Sequence, residues 1–143
     1  MHSRTPPLIG WRLLALLYDL LPALGLWFLV AALFTVVHGD AIRGGPWGWL
    51  ELAALWLVTG LYASLSWRRG GQTLGMRPWR LHLVASDGHT PPRWSALWRR
   101  YAIGTLSLLA GGLGFWWAWI DRAGLTWHDR ASGTHLQRRP KTT

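Results

Sequence analysis

The sequence contains no cysteine. That excludes disulfides, thiolate zinc sites, iron–sulfur clusters and a cysteine nucleophile. It is also poor in charge: 15% of its 143 residues are Asp, Glu, Lys or Arg, against about 25% in ordinary soluble proteins. Acidic residues are scarcest, 6 against 15 basic ones, for a formal net charge of +9. Lysine is nearly absent; Lys141 stands alone among arginines. Half of the chain is hydrophobic, which excludes a disordered polyelectrolyte. What remains is a basic nucleic-acid binder or a membrane protein, and the length suits one unit over residues 1–143.

The distribution of charge separates the two. Residues 13–37 carry one charge, Asp19; residues 50–67 carry one, Glu51; residues 101–120 carry none. A helix crossing the hydrocarbon layer needs about 20 apolar residues. The fold class is therefore an all-α membrane protein with two transmembrane helices and a third, Gly-interrupted hydrophobic helix. The first run is too long for a signal-peptide core and holds Asp19, so it reads as an uncleaved span. Membrane topology then explains the arginines, and no nucleic-acid partner is expected.

Arginines orient the spans. Arg4 and Arg12 precede the first, and Arg43 between the first two is balanced by Asp40. The loop 68–100 holds Arg68, Arg69, Arg77, Arg80, Arg93, Arg99 and Arg100 against Asp87 alone. The positive-inside rule places the N-terminus and this loop in the cytoplasm of a multi-pass membrane protein. Trp11, Trp47, Trp49, Trp67, Trp94 and Trp98 fall near the span ends, as an aromatic belt would. The tail 121–143 carries Arg122, Arg130, Arg138, Arg139 and Lys141. A single crossing by 101–120 would put them outside. Gly111-Gly112-Leu113-Gly114 weakens that helix by about 1 kcal/mol per glycine. A bend there returns the tail to the side of the basic loop, which is the arrangement expected; an unbroken crossing is the alternative.

The loop contains a short cytoplasmic β-element. Leu81 and Leu83 alternate to one side, Ser86-Asp87-Gly88 reads as a tight turn, and Thr90-Pro91-Pro92 stops the strand. Gly133-Thr134-His135-Leu136 can supply a second strand only from the same side.

Asp19 is the most informative residue. A carboxylate inside a span costs on the order of 2.5–3.5 kcal/mol unless paired, wet or protonated. Arg12 lies two helical turns earlier on the same face, slightly far for direct pairing but able to share a water. Arg99 and Arg100 are the alternative partners. Pro22, one turn on, can kink the helix. His128-Asp129 is tempting as an acid–base pair, but neighbours on a helix point apart, and a turn or capping role for Asp129 is favoured. The remaining histidines have no metal-ligand spacing, so no metal and no cofactor is expected. Gly60-Leu61-Tyr62-Ala63-Ser64 suits close helix contact. Gly70-Gly71-Gln72-Thr73-Leu74-Gly75 lacks the Lys-Ser/Thr of a phosphate loop and reads as a turn. Trp116-Trp117-Ala118-Trp119 reads as a lipid-facing or interfacial cluster rather than a ligand-stacking one.

Arg12 at the start of the first helix with Asp19 inside it resembles the RDD family of bacterial membrane proteins. Gly71-Gln72-Thr73-Leu74-Gly75-Met76, a short strand and Asp87-Gly88 resemble that family's central loop, and Arg99-Arg100 its last segment. Thr126-Trp127-His128-Asp129-Arg130-Ala131-Ser132-Gly133-Thr134 is similar to its C-terminal motif. The resemblance implies that Asp129, or else Asp121, is the second family Asp. Leu136-Gln137-Arg138-Arg139 departs from the pattern, being polar where the family has an apolar strand, and argues against a strand there. The family implies a small multi-span protein with transport suggested.

Two functions follow. One is a component for transport of ions or small solutes, with Asp19 as its intramembrane site and oligomerisation needed for a path. The other is a non-catalytic anchor or accessory module whose basic face meets anionic lipid headgroups or a membrane protein partner. No residues assemble a nucleophile, base and orienter, so an enzyme is not expected.

Overall fold

The computed structural model describes residues 8–85 and 92–140. Its elements are α1 (Ile9–His38), α2 (Gly45–Gly70), a 3-10 turn (Leu74–Met76), β1 (Leu81–Ala85), α3 (Trp94–Leu109), α4 (Leu113–Ile120), α5 (Trp127–Ser132) and β2 (Thr134–Arg138). The Ser86-Asp87-Gly88 turn and most of the Thr90-Pro91-Pro92 stop lie outside the described residues.

With 30 and 26 residues, α1 and α2 measure about 45 and 39 Å at 1.5 Å per residue, enough to cross a hydrocarbon core of about 30 Å. Both are apolar enough to do so. α1 runs unbroken through Pro22. It turns one narrow stripe inward, Arg12, Ala15 and Ala23, at helical spacing. Its other faces are bare: Leu21, Phe28 and Val36 are 71–78% exposed, as side chains solvated by lipid tails would be.

The third apolar segment is two helices, bent by 98°. Gly111 and Gly112 both have left-handed backbone, φ 76° and 81°, a conformation only glycine takes without strain. The Gly112 N–H closes α3 by donating to Ser107 O at 2.8 Å. α3 and α4, about 24 and 12 Å long, each fall short of a full crossing.

β1 and β2 pair antiparallel, Leu81 opposite Arg138 and Ala85 opposite Thr134. The strand argued against over 136–139 therefore exists as far as Arg138. Its polar residues do not disrupt it, for two reasons. His135 and Gln137 alternate outward while Thr134 and Leu136 are buried. Arg138 covers apolar surface, its guanidinium 3.9 Å from the Trp11 ring centroid and its Nε donating to Trp79 O at 3.3 Å. The inner face joins Ala15, Met76, Leu83 and Leu97 in one core, so loop and tail pack on the first turns of α1.

The tryptophans are not all a belt. Trp49 is 75% exposed. Trp67, by contrast, lies under Arg100, 5.4 Å from its guanidinium carbon. Trp98 packs on Gly60, where an added Cβ would come within 2.5 Å of the Trp98 and Tyr101 rings.

Candidate functional site

Where α1, α3 and α5 converge, three charged side chains meet out of solvent. α5 opens with a capping box: the Asp129 N–H donates to Thr126 Oγ1 at 3.3 Å, and the Thr126 N–H to Asp129 Oδ2 at 3.2 Å. The box fixes the Asp129 carboxylate at the helix start. Arg12 reaches it from α1 with both terminal nitrogens, Nη2 to Oδ2 at 2.7 Å and Nη1 to Oδ1 at 3.3 Å. Arg100 arrives from α3, Nη1 to Oδ1 at 2.6 Å. Asp129's side chain is 0% exposed and both guanidinia about 4%.

Asp129 thus accepts four hydrogen bonds, the capacity of a carboxylate. Burial alone would raise its pKa, but Arg100 and Arg12 outweigh that and hold it below the usual carboxylate range. A saturated, firmly ionised carboxylate has no lone pair left for a proton or a metal. Its role is to join three segments far apart in sequence. Thr134, at the start of β2, extends the cluster by accepting from Arg100 at 3.2 Å. Gly133 supplies the left-handed cap between α5 and β2, donating to Asp129 O.

His128 also faces the cluster, its Nε2 3.4 Å from Arg12 Nη1. A guanidinium only donates, so Nε2 must carry the lone pair and Nδ1 the proton. Burial, and then the Arg100 charge, push its pKa well below 6.5. Its ring lies 4.8 Å from Phe115. Trp127 points elsewhere, toward Trp117 and Gly114.

Asp19 does not join this cluster. The ion pairs among the described residues are Arg12–Asp129, Arg100–Asp129 and Arg130–Asp121. Of the candidate partners of Asp19, Arg12 turns instead to a carboxylate 117 residues away, and Arg100 turns to the same one. Asp19 Oδ1 accepts from Tyr62 OH at 2.9 Å and the Gly75 N–H at 2.8 Å, and Oδ2 from Thr73 Oγ1 at 2.5 Å. The turn that leaves α2 is thus latched onto α1. Gly75 is required there, since a Cβ would collide with Ala15 O and with Asp19. Tyr62 is legible in the sequence only as part of a close-contact stretch, and Thr73 and Gly75 only as parts of a turn, because a neutral donor does not announce its acceptor.

The other candidates lie outside. Arg99 is exposed and donates to Ala131 O at 3.2 Å. Asp121 organises the turn before α5, accepting from the Ala123 and Leu125 N–H groups at 3.0 Å each and from the forked Arg130. Among the described residues no group of three His, Asp or Glu is placed to hold a metal ion.

A search of curated proteins finds no match to this chain, and a search of solved structures finds none. The model of the RDD family does match, over residues 6–133, a stretch that contains Arg12, Asp19, the latched turn, Arg100 and Asp129. This integral membrane protein belongs to the RDD family.

Proposed function

We propose that the chain is a non-catalytic membrane module that presents a rigid basic face to anionic headgroups of the bacterial inner membrane. One observation carries this reading: the buried charges Arg12, Arg100 and Asp129 are spent on one another. They brace the loop and tail against α1 and leave Arg93, Arg99, Arg122 and Arg139 exposed. The start of α1, the end of α2, the start of α3 and the sheet all lie at that end. The positive-inside rule assigns it to the cytoplasm, tail included. Pairing of β1 with β2 supports the same side for loop and tail.

Reconstitution tests both parts. Gln137→Cys and Asp40→Cys in this cysteine-free chain should label with an impermeant maleimide from opposite faces of oriented vesicles. Labelling from one face would overturn the topology. The melting temperature should rise in vesicles containing phosphatidylglycerol over phosphatidylcholine alone; equal values would overturn the headgroup role.

A transport component is the second reading, favoured by Asp19. Three neutral donors hold this half-buried carboxylate, leaving about one of its four acceptor sites for a cation or proton. Ion flux in proteoliposomes that is lost in Asp19→Asn, with folding intact, would put transport ahead.

A further inference from the structure

A cleft of about 250 Å³ opens between the first turns of α3 and the turn joining α5 to β2. Pro92, Arg93, Ser95 and Arg99 line one wall, Ser132 and Gly133 the other. Among the described residues no acidic side chain lines it. Ser95 and Arg99 are one helical turn apart and share a face of α3; Arg93 stands at its first boundary. Arg93 and Arg99 both line this polar hollow, Arg99 with one terminal nitrogen donating to Ala131 O, and arginine suits a tetrahedral oxyanion because its planar fork pairs two donors with two oxygens.

The position of the cleft separates lipid from soluble phosphate. Arg68, in the last turn of α2, donates to Pro92 O at 2.8 Å and lies 5.2 Å over the Trp94 ring. The rim of the cleft is therefore tied to the level at which α2 leaves its apolar stretch. Lipid phosphates occupy that level, and tryptophan and arginine concentrate there.

We propose that this cleft binds the phosphate of an anionic lipid headgroup. The inference rests on the reading that the basic end meets the headgroup layer, and it narrows that reading to one site. The cleft shares its far wall with the buried charge cluster: Ser132 bonds Thr134, which receives Arg100. A headgroup held by Arg93 and Arg99 would brace α3 against α5 and β2 from the outside, as Asp129 does from within.

The full chain is reconstituted in nanodiscs of mixed phosphatidylglycerol and phosphatidylcholine, and lipid retained after transfer to detergent is counted by native mass spectrometry. Three proteins are compared: wild type, Arg93→Gln/Arg99→Gln, and Arg122→Gln/Arg139→Gln, which removes the same charge elsewhere. Melting temperatures establish that each is folded. Retained phosphatidylglycerol should fall about tenfold or more in the cleft variant, where two direct arginine contacts of about 1 kcal/mol each are lost, and less than about twofold in the control, whose arginines do not line the cleft. Millimolar inorganic phosphate should not displace it. Equal losses in both variants overturn the cleft while leaving a diffuse basic face. No preference for phosphatidylglycerol in wild type overturns both. Displacement by inorganic phosphate that depends on Arg93 and Arg99 assigns the site to a soluble anion and overturns the lipid.

Discussion

Asp129 and Asp19 are both carboxylates that tie other segments to α1, Asp129 from α5 and Asp19 from α1 itself, and they do so by opposite means. Asp129 is met by two guanidinia and two capping groups, with its side chain entirely shielded. Asp19 is met by a phenol, a hydroxyl and one backbone N–H. The first site is an ionic junction of three distant segments; the second is a hydrogen-bonded latch for one turn. Breaking an ionic junction strands charges, whereas breaking a neutral latch strands dipoles. The two sites should therefore differ sharply in cost.

The largest effect is expected at Asp129. Asp129→Ala leaves Arg12 and Arg100 buried together with no counter-charge, a loss of about 3–5 kcal/mol. The thermal midpoint in detergent should collapse, or folding fail. Arg12→Ala leaves Arg100 in place and should cost less. In a double-mutant cycle Arg12→Ala and Asp129→Ala should be strongly non-additive, while Arg12→Ala and Asp19→Asn should add to within about 0.5 kcal/mol. Coupling of the second pair to the same degree as the first would erase the distinction between the sites.

Next is Gly75→Ala, which acts on the latch through shape. The added methyl meets Ala15 O and the Asp19 side chain, and forcing it in should cost about 1–3 kcal/mol. Tyr62→Phe removes one donor and should cost about 1 kcal/mol. A Gly75→Ala variant as stable as wild type would show that the turn can leave α1 freely.

How far these sites were legible follows from the same contrast. Three apolar stretches and a glycine break are local patterns, so the helices could be read directly and the bend at Gly111-Gly112 as one of two arrangements. Arg12, Arg100 and Asp129 stood out because charge is rare here, but which met which could not be read. Arg12 has a nearer carboxylate along its own helix and leaves it for one across the chain. Nothing local encodes that choice; the capping box that aims Asp129 does so only once α5 packs on α3. β2 was obscured because Arg138 counts as polar by type, yet it works as an apolar cover on Trp11.

The protonation of the cluster sharpens the comparison further. His128 is neutral in the fold, with its pKa pushed well below 6.5 by burial and Arg100. As pH falls below about 6.5 the unfolded chain takes up a proton that the fold refuses, so stability drops by up to about 1.4 kcal/mol per pH unit. Asp129, depressed by its arginines, contributes stability that is complete above about pH 4 and is lost below it. Thermal midpoints of wild type and His128→Gln against pH should therefore diverge first, between pH 6.5 and 4, with the wild type falling faster. His82, also lowered by burial, contributes in the same window, so His82→Gln is the needed companion. Parallel curves for wild type and His128→Gln would mean that the imidazole titrates freely.

The smallest effect is expected at the third aspartate. Asp121 also accepts four hydrogen bonds, and its pKa is lowered because the Leu125 N–H and Arg130 overcome the effect of burial. It differs from Asp129 in its partner, since the Arg130 side chain is 52% exposed. Water can replace that guanidinium at little cost, whereas nothing can replace Arg12 or Arg100. Arg130→Ala should cost no more than about 1 kcal/mol. Asp121→Ala should cost more than Arg130→Ala, because the Ala123 and Leu125 N–H groups lose their acceptor at the turn into α5. Thermal midpoints of the two variants decide the order. If Arg130→Ala proves the costlier, the ion pair rather than the turn is what Asp121 supplies, and counting guanidinia would rank the aspartates better than burial does.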